Sequence, residues 1–236
     1  MSSLLVAESI RKGFGRKTAV VSASLEVHSG RVTFLAGRNG SGKTTLLQIL
    51  AGRLSPDGGS VRFAGRAFSA PRLADLARRG LFFLPDRRIL SPSLTLAEHL
   101  RVVELRTGGR STLPVIDFLG VAHLLDRRPA GFSEGEGRRA ELALALVRNP
   151  SCLIADEPLR GLDPKDMQLL LEVFRAMATN GSAVVVSGHQ PEDMMTVADE
   201  VIWMREGRSH VLGPPEEAQL DAQFRREYLE GGQEPL

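Results

Sequence analysis

The 236-residue sequence predicts an α/β protein whose mostly parallel sheet is covered by helices on both faces. Three observations carry this expectation. Short apolar runs alternate with stretches of helical periodicity, a glycine-rich loop at residues 37–45 joins one such run to a helix, and residues 86–149 carry almost only helical patterning. The first predicts the sheet, the second a strand, loop and helix in sequence, and the third an inserted helical subdomain.

Residues 4–10 and 20–27 (VVSASLEV) alternate apolar and polar positions, as half-buried strands do. Residues 32–36 (VTFLA) form a short buried-strand run into the glycine-rich loop, and residues 44–51 (TTLLQILA) are good helix material with Leu46, Leu47 and Leu50. Strands are expected at 60–63 and 81–84. Helices follow at 94–105, 113–125 and 134–148, broken by Gly108-Gly109 and Pro129. Strands return at 152–155, 183–187 and 201–204, with a helix over 164–179 whose first position suits Pro164. No internal repeat or low-complexity tract interrupts the pattern, and residues 231–236 are expected to fray. Residues 1–236 thus read as a single domain: 1–85 and 150–236 form a core with a β subdomain, and 86–149 form the helical subdomain.

Composition bounds the function. No apolar run approaches the ~18 residues that span a bilayer, so the chain is not expected to be a channel or carrier itself. The first residues, MSSLLVAESIRK, lack the basic start and apolar segment of a secretory signal, which points to the cytoplasm. The single cysteine, Cys152, excludes an internal disulfide and a cysteine-based zinc site and reads as a small core hydrophobe. Arginine pairs such as Arg78-Arg79 and Arg138-Arg139 raise the question of nucleic acid, but a net charge of +2 and 5% aromatics favour solvated helix faces. No nucleic-acid partner is expected.

The loop GRNGSGKTT fits G-x-x-x-x-G-K-[ST]. Its glycines Gly37, Gly40 and Gly42 allow backbone N–H groups, with those of Asn39, Ser41 and Thr45, to approach phosphate oxygens. Lys43 is placed to reach the β and γ phosphates and Thr44 to ligate magnesium. Strand, glycine loop and helix amino terminus together favour bound phosphate.

Residues 152–158 (CLIADEP) end an apolar strand in two carboxylates, which alternation sends to different tasks. Asp156 is placed to hold magnesium, directly or through water, and Glu157 to polarise an attacking water. An acidic pair at a strand end is otherwise a cap or a solvated turn; the glycine loop upstream favours the functional reading. The turn Gly161-Leu162-Asp163-Pro164 enters a helix, and a later strand ends at Gly188-His189, where α/β sheets bind ligands.

Together these stretches resemble the ATP-binding-cassette (ABC) transporter ATPases over nearly the whole chain. The resemblance follows the family's own order: the phosphate loop, LPD at 84–86 in place of the Q-loop, FSEGE at 132–136 in place of the LSGGQ signature, then ADEP, GLD and SGH. It implies a P-loop NTPase (RecA-like) core, an antiparallel β subdomain and an α-helical signature subdomain. ATP and Mg2+ are the implied cofactors, with Lys43 and Glu157 catalytic, His189 contacting the γ phosphate, and Phe14 of KGFG stacking on adenine. Ser133, Gly135 and Asp163 would serve the nucleotide shared with a second cassette, identical or different, arranged head to tail. A separate membrane-spanning subunit would contact residues 84–100, placing the chain on the inner face of the cell membrane.

Two motifs depart from the family pattern. Asp86 stands for the Q-loop glutamine; its carboxylate can still ligate magnesium but has a shorter reach. Glu134 and Glu136 replace a glycine and the glutamine of the signature. Ser133-x-x-Glu136 is also a capping box, whereas a carboxylate ~6 Å from phosphate would repel it by about 0.7 to 3 kcal/mol. The expected function is ATP hydrolysis driving transport. The alternatives are a soluble iron-sulfur-assembly type of ATPase and a regulatory cassette with little turnover. The terminal FRREYLEG and the E-x-R-R after the signature look similar to lipopolysaccharide-export and branched-chain amino-acid subunits.

Overall fold

The side-chain alternation expected of the apolar runs sorts the core into two layers, one on each face of a mixed sheet. The computed structural model describes residues 3–107, 112–189 and 191–230; Gly108-Gly109 and the tail at 231–236 lie outside these residues. The sheet begins with β1 (Ser3–Phe14), β2 (Lys17–His28) and β3 (Val32–Ala36), followed by α1 (Lys43–Leu50), β4 (Gly58–Phe63), β5 (Arg66–Phe68), α2 (Leu73–Arg78) and β6 (Leu81–Leu84). The helical part holds α3 (Leu96–Thr107), α4 (Leu113–Leu119) and α5 (Glu134–Arg148). The chain then returns to the sheet through β7 (Cys152–Ala155), α6 (Pro164–Thr179), β8 (Ala183–Gly188), α7 (Pro191–Met195), β9 (Glu200–Arg205) and β10 (Arg208–Gly213). It closes with α8 (Pro215–Ala218), α9 (Ala222–Phe224) and a wide helical turn at Arg225–Leu229.

The strand order is β5-β4-β1-β2-β10-β9-β3-β8-β7-β6. From β9 to β6 the strands run parallel, with β3 between β8 and β9. At the other end β5, β4, β1 and β2 pair antiparallel, which is the β subdomain. Val32, Phe34, Val184, Val186, Val201 and Trp203 point to one face and pack with Leu170 and Phe174 of α6 and Leu142 of α5. Their neighbours Leu35, Val185, Ile154, Ile202 and Met204 point to the other face, against Leu46, Leu47 and Leu50 of α1 and the antiparallel strands. Cys152 is in this second layer, fully buried, and burial pushes its thiol up to about 12.

Several boundaries depart from the sequence pattern for local reasons. The helix expected over 113–125 stops at Leu119 because Gly120 takes a left-handed conformation (φ 61°), and residues 122–124 form a separate tight turn. The helix expected from residue 94 starts at Leu96: Thr95 Oγ1 accepts from Glu98 N–H at 3.3 Å while the Glu98 carboxylate accepts from Thr95 N–H at 2.7 Å. Strands β5 and β10 carry mostly exposed or half-buried side chains, so no apolar run announces them.

Candidate functional site at the carboxyl edge of the parallel strands

Parallel register brings three strand ends to one edge. Ala36 of β3 lies beside Gly188 of β8, and Ala155 of β7 beside Val186, so the residues that follow each strand meet above the sheet. There the glycine loop closes tightly on its surroundings. A Cβ at Gly37 would lie 2.4 Å from Met204 O, and one at Gly42 2.5 Å from Ala19 O, at φ 150° and 105°. No L side chain fits either position, so the loop backbone keeps its curved path into α1.

Lys43 opens α1 and is buried; its Nζ donates to Gly37 O at 2.6 Å and Arg38 O at 3.1 Å and lies 3.9 Å from Glu157 Oε1. Burial lowers its pKa, against the opposing influence of Glu157 and Asp156. The next residue, Thr44, donates from Oγ1 to Asp156 Oδ1 at 3.3 Å.

Asp156 is fully buried, and burial raises its pKa; Asp86 and Glu157 add to the shift, while hydrogen bonds from Ser187 and Thr44 oppose it. Its Oδ2 is a buried oxygen without a hydrogen-bond partner among the described residues. A buried, partnerless carboxylate oxygen beside a threonine hydroxyl is a donor set that suits a hard divalent cation.

Glu157 sits 3.9 Å from the ammonium of Lys43, 3.9 Å from the guanidinium of Arg160 and 3.7 Å from His189 Nδ1. Its backbone adopts φ 46°, a left-handed conformation that costs a non-glycine residue on the order of 1 kcal/mol. Ser187 holds this turn, donating from Oγ to Asp156 Oδ1 at 2.7 Å and accepting from Glu157 N–H at 3.0 Å. Sequence reading placed Ser187 only at a strand end. The signal for its role was its position two residues before His189.

The other expected residues fall elsewhere. Asp86 is exposed and shares with Thr44, Gln48 and Arg53 the wall of a cavity of about 820 Å3. Phe14 is 51% exposed, with Lys12 Nζ 5.6 Å from its ring centroid, so it is not a core residue. Asp163 caps α6, its carboxylate accepting from Asp166 N–H at 2.8 Å. Ser133 caps α5 and Gly135 lies in its first turn. Ser133 Oγ accepts from Glu136 N–H, and a Cβ at Gly135 would run into the Asp166 carboxylate.

Glu134 is half exposed and has a partner that its sequence neighbours do not reveal. Its carboxylate lies 3.2 Å from Arg88 Nη2, while the capping box is completed by Glu136, whose carboxylate accepts from Ser133 N–H at 2.8 Å. Arg88, Arg138 and Glu141 organise this region; Arg138, expected on a solvated helix face, is instead buried at 3% exposure against Glu141, which satisfies its charge inside the protein.

A glycine loop between β3 and α1, a lysine at the helix start and an acidic pair just after β7, a parallel strand one removed from β3, define a P-loop nucleoside-triphosphatase. The family is more specific: residues 20–160 match the family model described as ABC transporter, and the chain belongs to that family as an ATP-hydrolysing subunit. It is 29% identical to the lipopolysaccharide export system ATP-binding protein of Haemophilus influenzae, covering 96% of this chain and 97% of that protein. It is 33% identical to the Nod factor export ATP-binding protein I of Paraburkholderia xenovorans, over 88% of this chain and 70% of the relative. A lantibiotic transport ATP-binding protein of Streptococcus pyogenes is 31% identical over 87% and 88% of the two chains. In fold, the chain matches an ABC transporter cassette solved in its ADP conformation with a TM-score of 0.84, covering 98% and 100% of the two chains at 24% identity. These relatives serve transport or export, which gives the soluble assembly reading no support. Among the described residues, no helix is long and apolar enough to cross a membrane.

Proposed function

We propose that two copies of this chain work head to tail as the motor of an export system. Each ATP lies between the phosphate loop of one copy and Ser133–Gly135 of the other, and a separate membrane-spanning subunit docks on residues 84–100 at the inner face of the cell membrane. The observation that carries the chemistry is the pairing of Thr44 with Asp156, whose second oxygen is buried and partnerless. Thr44 and Asp156 hold magnesium, with Asp86 on the adjoining cavity wall; the ion supplies charge neutralisation at the β and γ phosphates.

Lys43 turns from its loop carbonyls to the β and γ phosphates, and Phe14 offers its exposed ring to adenine. Glu157 accepts a proton from the water that attacks the γ phosphorus; the bond to the β-phosphate oxygen breaks, and ADP and phosphate leave. His189, within 3.7 Å of the same carboxylate, contacts the γ phosphate, and Asp163 links the two nucleotide sites.

Docking of the membrane subunit is supported by a groove of about 750 Å3 lined by Leu73, Phe82, Ile89 and Val102, with Arg78 and Arg106 at its rim. Ile89 and Val102 are 38% and 50% exposed, unusual for apolar side chains beside a core. The test is ATP turnover by the chain alone and with its membrane subunit in liposomes. Magnesium-dependent turnover stimulated by that subunit is expected; no turnover in either state would overturn the reading in favour of a regulatory cassette.

A further inference from the structure

Arg88 binds the start of α5 as a template would. Its guanidinium donates to Pro129 O at 3.3 Å, Phe132 O at 3.4 Å and 3.5 Å, Ser133 O at 3.0 Å and Glu134 Oε2 at 3.2 Å. A Cβ at Gly137 would lie 3.0 Å from Arg88 Cζ, so the guanidinium packs closely on the glycine face of the helix.

The backbone that carries Arg88 is itself fixed by α5. Arg138 donates to Pro85 O at 2.9 Å and Asp86 O at 2.6 Å, and the Glu141 carboxylate accepts from Ile89 N–H at 2.6 Å. Arg138 and Glu141 pair at 3.0 Å with 3% and 0% of their side chains exposed. One end of this segment, Asp86, faces the cavity shared with Thr44, and the other, Arg88, grips the signature turn.

We propose that Arg88 is the counter-ion that makes a carboxylate at position 134 compatible with ATP in the closed pair, and so a positioning residue for hydrolysis. The inference rests on the head-to-tail reading above. With the ion pair formed, position 134 presents no net charge to the phosphates of the opposite copy. Both sites of a pair made of two copies of this chain are then usable. The fixed backbone at 85–89 keeps the guanidinium in place as ATP arrives, so the two charges stay matched.

The test uses the full chain carrying Glu157→Gln, which retains ATP, and reads by sedimentation the ATP concentration that gives half-maximal dimer. Arg88→Gln leaves the carboxylate unpaired and is expected to raise that concentration about tenfold, between the roughly 3-fold and 100-fold of water-like and protein-like screening. Arg88→Gln with Glu134→Gln removes both charges and is expected within about threefold of the parent; Glu134→Gln alone should dimerise at least as readily as the parent. Arg88→Lys, which keeps the charge, replaces Arg88→Gln if the latter melts well below the parent, and should stay close to it.

A well-folded Arg88→Gln that dimerises like the parent overturns the inference. So does a double variant as weak as Arg88→Gln, because Arg88 would then act only through the backbone carbonyls it holds. A parent that forms no ATP-dependent dimer overturns the head-to-tail homodimer itself, and with it this assignment.

Discussion

Thr44 Oγ1 and Asp156 Oδ1 stand 3.3 Å apart, although 112 positions separate them in the chain. The contact exists because β3 and β7 run parallel with only β8 between them, so both chains leave the sheet at the same edge. It leaves Asp156 fully buried, with one oxygen shared by two hydroxyls and the other partnerless. A buried carboxylate kept in this state costs stability in the metal-free protein and leaves one oxygen open to a cation.

Asp156→Asn should therefore raise the melting temperature of the metal-free protein by ~2–4 °C, corresponding to about 1 kcal/mol, while abolishing magnesium-dependent ATP turnover. The pH dependence has a definite sign. Burial lifts the folded pKa of Asp156 above its unfolded value, so its contribution is most favourable below the ordinary carboxylate value of ~3.9 and is lost as pH rises through the folded value. Melting curves of the two proteins from pH 4 to pH 8 should diverge with rising pH, the variant being the more stable. Parallel curves would refute the account.

Lys43→Ala should lower ATP affinity at least ~100-fold in a calorimetric titration, since charge-assisted bonds to the β and γ phosphates have no substitute in the loop. The fold should survive, because Lys43 gives the resting protein its bonds to the Gly37 and Arg38 carbonyls and a long, 3.9 Å ion pair with Glu157, and none of these joins the elements of the core. An affinity within threefold of the parent would mean that the phosphate site lies elsewhere.

Glu157→Gln should keep ATP and lose turnover by ~100-fold or more, as an amide cannot accept the proton of the attacking water. The left-handed backbone at residue 157 and its bond to Ser187 Oγ do not depend on the side-chain charge, so the melting temperature should move little. Steady-state rates equal to those of the parent would remove Glu157 from the chemistry.

The residues legible in sequence were those whose neighbours in sequence also determine their role. The phosphate loop, the acidic pair and the helices at 134–148 and 164–179 come from contiguous patterns, and the last two match the structure end to end. Strand β10 was hidden because its side chains are mainly exposed or half-buried, and β5 because it has three residues. Arg88, Arg138, Glu141 and Ser187 were hidden for another reason. Each acts on backbone or carboxylates 31 to 53 positions away, and no spacing rule along the chain encodes such a contact. Glu134 shows the consequence: its counter-ion Arg88 lies 46 positions away, and no pattern around the signature points to it.

Glu136 separates the cap from the signature. Its carboxylate accepts from Ser133 N–H at 2.8 Å, lies 3.0 Å from His123 Nε2 and 3.6 Å from Arg127 Nη1, and closes the box in which Ser133 Oγ accepts from Glu136 N–H at 3.1 Å. The Ser133 N–H bond, and then that from His123, hold its pKa below the usual carboxylate value. A depressed folded pKa contributes stability that is present above the unfolded value of ~4.3 and is lost as pH falls through the folded value. Glu136→Ala should then cost about 1 kcal/mol at pH 7, a fall of ~2–4 °C in melting temperature, and the deficit should shrink as pH drops below ~4. Glu136→Gln keeps an acceptor for Ser133 N–H and should retain most of the stability at pH 7 without the acid-dependent loss. If both variants melt like the parent across this range, the capping box contributes nothing, and Glu136 is held in the signature for the nucleotide alone.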